Sequence, residues 1–496
     1  MNSSLFIGAT GLKGLSQGMS VISNNLANVS TYGFKQQNIQ YSDLIYSSQG
    51  NLGSGWASQE DSLVTTGETG HGMAVDSVRT FFFQGAFEGT NSVSDLALDG
   101  KGFFQVTDEQ GNEFYTRTGD FITDEEGYME TPSGMKLSGY QYNEDGSLGG
   151  LGAVQIDRFG TMDARATTSL SLELNLGLTE DLARNADNPY FGLLSQYDAR
   201  ANPPLTNDVY GFSQAATIYD AEGNAQEVTI YFDGAPSSGN GGKQIEFLVA
   251  LTQDAAQATQ AGDGLLMSGV LSFASNGEMT SIAAFTPSEA GTKDLTQWTA
   301  AETAGGGFVC NVDGRAMTID FGFDGGTAAM GVATAAEVGS DATLLGGLTD
   351  LVASGSATTG YSGETSSEMV SQDGYSEGRM SYYDITESGD LVAYYDNGQS
   401  QNLWQIPVCR FTSEDGLYRE GDNLYRATEA SGNMEMGVAG TENYGTINAY
   451  NLEVSNVDTA TEMVNLIITQ RGFQSNSKVI TTADEMLRKA MEIKRT

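Results

Sequence analysis

The chain is poor in the side chains that usually carry chemistry. Its 496 residues hold one histidine, His71, and two cysteines, Cys310 and Cys409. His71 sits in Gly70-His71-Gly72 with no second His or Cys beside it, which argues against a metal centre or a His-based triad. The cysteines are far apart and lack metal-type spacing, so no disulfide framework is expected. Positive charge is scarce too: 23 Lys and Arg face 64 Asp and Glu, a formal net charge of −41. Such a surface repels nucleic acid and anionic membrane. No apolar run approaches the ~18 residues of a bilayer span. Residues 1–19 lack a basic region followed by a clean apolar one, so no cleavable signal peptide is expected. Proline is rare, 7 residues against 63 Gly, which points to tight turns rather than Pro-rich linkers.

Catalytic motifs are missing as well. There is no P-loop and no G-x-S-x-G. Gly8-Ala9-Thr10-Gly11 lies inside an apolar heptad rather than after a strand, so it is no dinucleotide fingerprint. Asp124-Glu125-Glu126 does not follow the calcium-loop spacing and reads as a turn. Nothing singles out a carboxylate pair for glycoside chemistry. No catalytic residue, metal or cofactor is expected.

What is present lies at the two ends. Leu5, Gly8, Leu12, Leu15, Met19, Ile22, Leu26 and Val29 alternate in steps of three and four, the pattern of one helix face. Gly33 is placed to end that helix in a left-handed conformation. A second stripe runs Met463, Leu466 and Ile467, Phe473, Ile480, Leu487 and Met491, predicting a helix of ~35 residues, ~50 Å long. Ser455 with Asp458, or Thr459 with Glu462, offers a capping box. Asp458 and Glu462 near the start and Lys489, Lys494 and Arg495 near the end suit the helix dipole. Asp484–Arg488 and Glu485–Lys489 are favourable i,i+4 pairs, and Gly472 weakens the middle. Neither helix has the apolar surface to stand alone. Each needs the other, or further copies of the chain.

The negative charge lies between these ends. Residues 1–46 carry Lys13 and Lys35 against Asp43, and residues 450–496 carry equal numbers of acids and bases. Between the helices, turn signals recur at 109–112, 126–127, 145–146, 222–224, 397–398 and 415–416. Strand-like runs such as Gly102-Phe103-Phe104-Gln105-Val106 and Val228-Thr229-Ile230-Tyr231-Phe232 flank several of them. Gly/Ser/Thr-rich stretches at 49–70, 234–243 and 353–368 read as long loops. The expected class is α+β, mainly β, with long terminal helices and β-rich domains between them. At about 150 residues per domain, the length suits roughly three domains.

Three blocks then carry a resemblance. Ser23-Asn24-Asn25-Leu26-Ala27-Asn28-Val29-Ser30-Thr31-Tyr32-Gly33-Phe34-Lys35 resembles the N-terminal signature of the flagellar rod and hook axial proteins. Leu452-Glu453-Val454-Ser455-Asn456-Val457-Asp458 and Gln470-Arg471-Gly472-Phe473-Gln474-Ser475-Asn476 are similar to the matching C-terminal signature. Gln84-Gly85, Asn91, Asp99-Gly100-Lys101-Gly102-Phe103-Phe104 and Tyr115-Thr116-Arg117-Thr118-Gly119-Asp120-Phe121 resemble an internal block. Ser30, Tyr32 and Gly472 depart from the usual residues. The likeness covers roughly 1–157 and 372–496, and more loosely 205–285.

The resemblance implies a non-enzymatic, self-assembling subunit whose long terminal helices pair as a coiled coil lining a tube, with nested β-rich domains inserted between them. Residues 158–371 look like the outer region of a hook member of the family; a distal rod member would carry a shorter middle. The implied division is 1–30 with 455–496 as helical core, 31–74 as an extended linking segment, 75–157 with 372–447 as an inner β domain, and 158–371 as one or two outer β domains. Implied partners are copies of itself, a rod protein, a hook cap, a hook–filament junction protein and the flagellar export apparatus, with no membrane insertion. The implied location is the extracellular flagellum. Asn24, Asn25, Asn28, Thr31, Gly33, Lys35, Ser455, Asn456, Asp458, Gln470, Arg471 and Asn476 are the polar candidates for assembly. For the asparagines, helix-surface polarity and bonding between subunits both stand open. Arg471 is either solvated or paired with an acidic neighbour.

Overall fold

A computed structural model describes residues 2–45, 70–143, 145–237, 242–252, 255–324, 327–329, 333–345, 347–349, 351–353, 357–441 and 443–495. The chain divides into two compact units, Met1–Gly160 with Met380–Thr496 and Thr161–Arg379. Strands predominate, and the long helices are α1 (Asn2–Ala27) and, at the other end, Thr459–Arg495. Residues 49–69 of the loop-like stretch 49–70, and parts of those at 234–243 and 353–368, lie outside the described residues.

In the first unit, β1 (Gln37–Ile45) pairs antiparallel with β2 (Gly70–Thr80), from Gln37 opposite Thr80 to Ile45 opposite Gly70. Within the expected linking segment 31–74, residues 37–45 and 70–74 therefore lie in a two-stranded ribbon, whose second strand runs on to Thr80. The β domain of this unit is sewn from both halves of the sequence. Trp404 lies opposite Gln141, and Leu424 opposite Thr116. Leu96, Leu98, Phe104, Val106, Leu391, Ile406 and Ile447 form its core. A second cluster stacks Phe103, Tyr115, Phe411 and Tyr425, with Phe82 edge-on to Phe103 at 5.3 Å.

The second unit packs a five-stranded sheet and an eight-stranded sheet around one core. The runs that read as continuously apolar owe this to burial on both faces. Along β3 (Ala225–Ala235), Ile230 and Phe232 enter the inter-sheet core, while Tyr231 points to the opposite face. Along β4 (Lys243–Leu251), Ile245, Phe247 and Val249 face inward and Leu248 and Ala250 outward. The outward face is roofed by residues 180–199. These include the short helix α2 (Gly192–Gln196) and contribute Tyr190, Phe191, Leu193, Leu194 and Tyr197.

The turns show where some of the acidic residues go. Asp108-Glu109-Gln110-Gly111-Asn112 and Asp220-Ala221-Glu222-Gly223-Asn224 fold alike. Asp108 Oδ1 accepts from Gln110 N (3.0 Å) and Asn112 N (2.7 Å), and Asp220 Oδ1 from Glu222 N (3.0 Å) and Asn224 N (2.8 Å). Hydrogen bonds from the Asn112 and Asn224 side chains, with these backbone groups, hold both carboxyls below their ordinary value. A depressed carboxyl stabilises the fold above the unfolded value and loses that contribution as pH falls from the ordinary value near about 4 through the lower folded one. Thermal melts should therefore fall between about pH 5 and pH 3, and less steeply in the Asp108→Asn, Asp220→Asn double variant. Identical slopes would assign acid lability to other groups.

Candidate assembly site at the paired chain ends

α1 begins the site. Its fully buried positions are not the leucine stripe but Gly8, Gly11, Gly14, Gly18 and Asn25. A Cβ at Gly8 would stand 2.8 Å from Ile480 Cγ1, and one at Gly11 would stand 2.9 Å from Asn476 Nδ2. One at Gly14 would fall against Met73, and one at Gly18 against the Tyr41 hydroxyl. The glycine row thus lets α1 lie backbone-close to the C-terminal helix α3 (Thr459–Arg495) on one side and to the β1–β2 ribbon on the other. Leu5, Leu12, Leu15, Met19, Ile22, Leu26 and Val29 flank that row and are half-buried. The recurrence of glycine at 8, 11, 14 and 18 was the signal for the contact face, and the larger residues drew attention from it.

α3 departs from expectation in the same way. Leu466, Ile480 and Leu487 are half-buried, whereas Met463, Ile467, Phe473 and Met491 are exposed. Ala483 and Glu462 are its buried positions. With glycines opposite, the contact admits small or polar groups such as Asn476, and the bulky residues turn outward. Val464, Ile468, Val479, Met486 and Ile493 extend this exposed apolar surface; Ile468 is 63% and Ile493 75% exposed. Phe6 on α1 is exposed as well. So much apolar surface turned to solvent marks an interaction face. Gln470 and Arg471 are exposed on the same helix. Asn476 donates to Gly472 O at 3.2 Å.

The helix start is simpler than a capping box. Asp458 caps it, its Oδ1 accepting from Thr461 N at 2.6 Å. Ser455 Oγ accepts from Val457 N at 3.3 Å. Glu462 instead accepts from Gln36 Nε2 at 2.6 Å. Arg488 pairs with Asp484 at 3.1 Å as expected, but Lys489 reaches Glu492 at 3.1 Å rather than Glu485. The side chains of Lys494 and Arg495 lie outside the described residues.

Below the helices the three sequence blocks meet in one buried ionic cluster. α1 ends at Ala27, and a turn follows, with Asn28 N bonded to Asn24 O at 3.2 Å and Thr31 N to Asn28 O at 3.2 Å. Gly33 does not cap the helix. It takes φ +66° six residues later, where a Cβ would stand 2.6 Å from Thr118 Oγ1, and donates its N–H to Glu453 O at 2.8 Å. The backbone then carries Lys35 into the interior. Lys35 Nζ donates to Glu453 Oε1 at 2.6 Å and to Phe83 O at 2.9 Å. Gly85 N donates to the same Oε1 at 2.7 Å, and Arg117 Nη1 lies 3.6 Å from Glu453 Oε2. Arg117 also donates to Gly100 O at 2.8 Å and lies over the Phe103 ring, 5.5 Å from its centroid. All three charged side chains are at most 1% exposed. Burial lowers the pKa of Lys35 and of Arg117, and Glu453 pulls both back up.

Asparagines tie the surrounding strands to this cluster. Asn456 Nδ2 donates to Phe81 O and Phe83 O, both at 2.9 Å, and its Oδ1 accepts from Gln36 N at 2.7 Å. Asn25 grips Gln37 from both sides, donating to its carbonyl at 2.7 Å and accepting from its N–H at 2.9 Å. Asn24, Asn28 and Thr31 bond among themselves: Asn28 Nδ2 reaches Asn24 O at 2.9 Å and Thr31 Oγ1 reaches Asn28 Oδ1 at 3.2 Å. Glu453 and Arg117 stand inside the sequence blocks, but their meeting with Lys35 depends on topology and has no local signal.

Breaking a buried ion pair from one side leaves an uncompensated charge. Glu453→Gln should lower the stability of the unit containing the chain ends by about 3–5 kcal/mol in urea titration. A loss below about 1 kcal/mol would deny the cluster that role. Gly11→Leu should separate α1 from α3 while leaving the unfolding of 161–379 unchanged; intact helix packing would contradict the glycine contact.

Four family descriptions match the chain. "Flagella basal body rod protein" covers residues 5–35, "Flagellar hook protein FlgE/F/G D1 domain" 97–173, "Flagellar basal body protein FlaE D2 domain" 185–375, and "Flagellar basal body rod FlgEFG protein C-terminal" 449–493. The flagellar hook protein FlgE of Escherichia coli K12 is 28% identical over 481 residues, covering 96% of both chains. That of Salmonella typhimurium is 29% identical with the same coverage, and that of Borreliella burgdorferi 28% identical over the whole of both chains. The crystal structure of Helicobacter pylori flagellar hook protein FlgE2 superposes with a TM-score of 0.46 at 14% identity, over 74% of this chain and all of that one. With its ends joined at one buried cluster and its relatives aligned from end to end, the chain belongs to the flagellar hook protein family.

Proposed function

We propose that the chain is the structural subunit of a flagellar hook, polymerising into a flexible curved tube that passes torque from rod to filament. The observation that carries this is the outward apolar surface of α3, on a helix whose other side is already packed against α1. A single chain leaves that surface in water, and further copies of the chain cover it. The family is not known as enzymatic. A distal rod subunit is not favoured, because the relatives that align along the whole chain, middle included, are hook proteins.

In this reading α1 and α3 pair as a coiled coil lining the channel, with 31–74 leading outward. Residues 75–157 with 372–447 form the inner β domain, and 158–371 lie on the tube surface. The close contacts at Gly8, Gly11 and Gly472 support the pairing. Leu5, Leu12, Met463, Ile467 and Met491 meet neighbouring copies. Export runs through the flagellar apparatus, and the ends of the tube meet the rod, cap and junction proteins. Among the described residues no helix is long and apolar enough to cross a membrane. Twist resistance comes from the packed helices, and bending from polar, Gly-rich outer contacts that slide at little cost.

Electron microscopy of a strain lacking the gene, with the purified chain under polymerising conditions, tests the assignment. Lost hooks and filaments, with short curved tubes in vitro, are expected; persisting hooks would reject it. Val464→Asp with Ile468→Asp should abolish tubes while leaving the monomer folded. Disulfides engineered across outer contacts should lock the tube straight, and unchanged bending would contradict the sliding mechanism.

A further inference from the structure

In the unit 161–379, two acidic side chains with no basic partner are buried side by side. Asp233 on β3 and Glu246 on β4 are cross-strand neighbours, 0% and 1% exposed. Period-two alternation puts both on the face roofed by residues 180–199, together with Tyr231 and Leu248. Their partners are backbone N–H groups of that roof. Asp233 Oδ2 accepts from Leu182 N and Ala183 N, both at 2.8 Å. Glu246 accepts from Gly192 N at 3.0 Å and Leu193 N at 2.9 Å. At the other end of α2, Lys293 Nζ donates to the carbonyls of Ser195 (2.7 Å) and Tyr197 (2.6 Å). Residues 181–197 are thus a strap, held by Asp233 at its start, by Glu246 at the beginning of α2 and by Lys293 at its end. Asp233 Oδ1 is buried and has no hydrogen-bond partner among the described residues.

We propose that Asp233 and Glu246 share one proton and form a latch: protonated, the pair holds the strap on the sheet, and loss of the proton releases it. The proton bonded to Glu246 is donated to the orphaned Asp233 Oδ1, so the buried site carries one negative charge instead of two. Two bare carboxylates opposite each other in a sheet repel, and burial amplifies the repulsion. Apart from each other, the charge acting on the pair is Asp181, which is also negative. Arg184 turns its Nε to Asp181 O at 3.1 Å, and Lys293 is engaged at the far end. Burial pushes Asp233 up to about 6 and raises Glu246 well above the ordinary range, with Asp233 as the largest charge acting against it. Raised carboxyls stabilise the closed strap below their unfolded value and lose that contribution as pH rises through the folded values, Asp233 first and Glu246 after it.

Amide hydrogen exchange on the full chain, corrected for intrinsic rate, reads the latch. As pH rises from about 4 through the folded values of the pair, the protection of Leu182, Ala183, Gly192 and Leu193 should fall about tenfold or more, while that of β3 and β4 holds. In Asp233→Asn the amide oxygen keeps both strap N–H bonds and the NH₂ takes the place of the shared proton, so the fall should shrink to less than about threefold. Protection that does not change with pH in the wild type, or falls equally in the variant, overturns the latch. Should the variant fail to fold, infrared spectra of the wild type decide. A protonated-carboxyl band at about pH 6.5 that fades as pH rises supports the latch, and its absence refutes it.

Discussion

The pairing of Lys35 with Glu453, flanked by Arg117, is the interaction on which the architecture of the chain ends depends. Its members come from an N-terminal turn, a C-terminal strand and an internal loop, and their side chains are almost completely withdrawn from water. Each charge is costly to bury alone, so the site forms only when all three segments arrive together. A buried ionic cluster of this kind adds little net stability compared with apolar packing. It does exclude alternatives, because any other register leaves a charge without a partner. Hydrogen bonds to Phe83 O, Gly85 N and Gly100 O extend that selectivity into the backbone. Asn456 and Asn25 carry it onward to residues 81–83 and to Gln37.

Above the cluster the constraint is space. Four glycines of α1 let side chains of α3 and of the β1–β2 ribbon lie against its bare backbone, and this close approach decides which side chains of α3 face inward. Asn476, Ile480 and Ala483 fit that side, while Val464, Ile468 and Met486 do not and remain in water. The single chain therefore pairs its buried charges at the cluster and leaves much of its apolar surface along the helix in water. That combination suits a subunit that is ordered before it is incorporated.

Both long helices, their lengths and the β character of the middle were legible in the sequence, because helical period, dipole-matched charges and turn residues are local signals. The orientation of the helices was not. The leucine stripe of α1 and the methionines of α3 have the right spacing for a mutual core, yet glycine rows reset the contact, and glycine carries no weight in an apolar pattern. Gly33 was read correctly as needing positive φ but wrongly as a helix cap, since the requirement comes from Thr118, distant in sequence. The meeting of Glu453 and Arg117 with Lys35 and the Asp233–Glu246 pair had no local signal either, because a charged residue announces nothing until the neighbours that topology brings to it are known. The β1–β2 ribbon was missed because its strands are far apart in sequence, without the short turn that betrays a hairpin.

The central claim is that one buried cluster makes the two chain ends a single cooperative element. Native-state hydrogen exchange on wild-type and Lys35→Met chains tests it most directly. The account predicts that amides of β2 and of the first turns of α3 lose protection together and by a common factor, while the unit 161–379 is unchanged. A loss confined to the residues around position 35, with α3 protected as before, would contradict it.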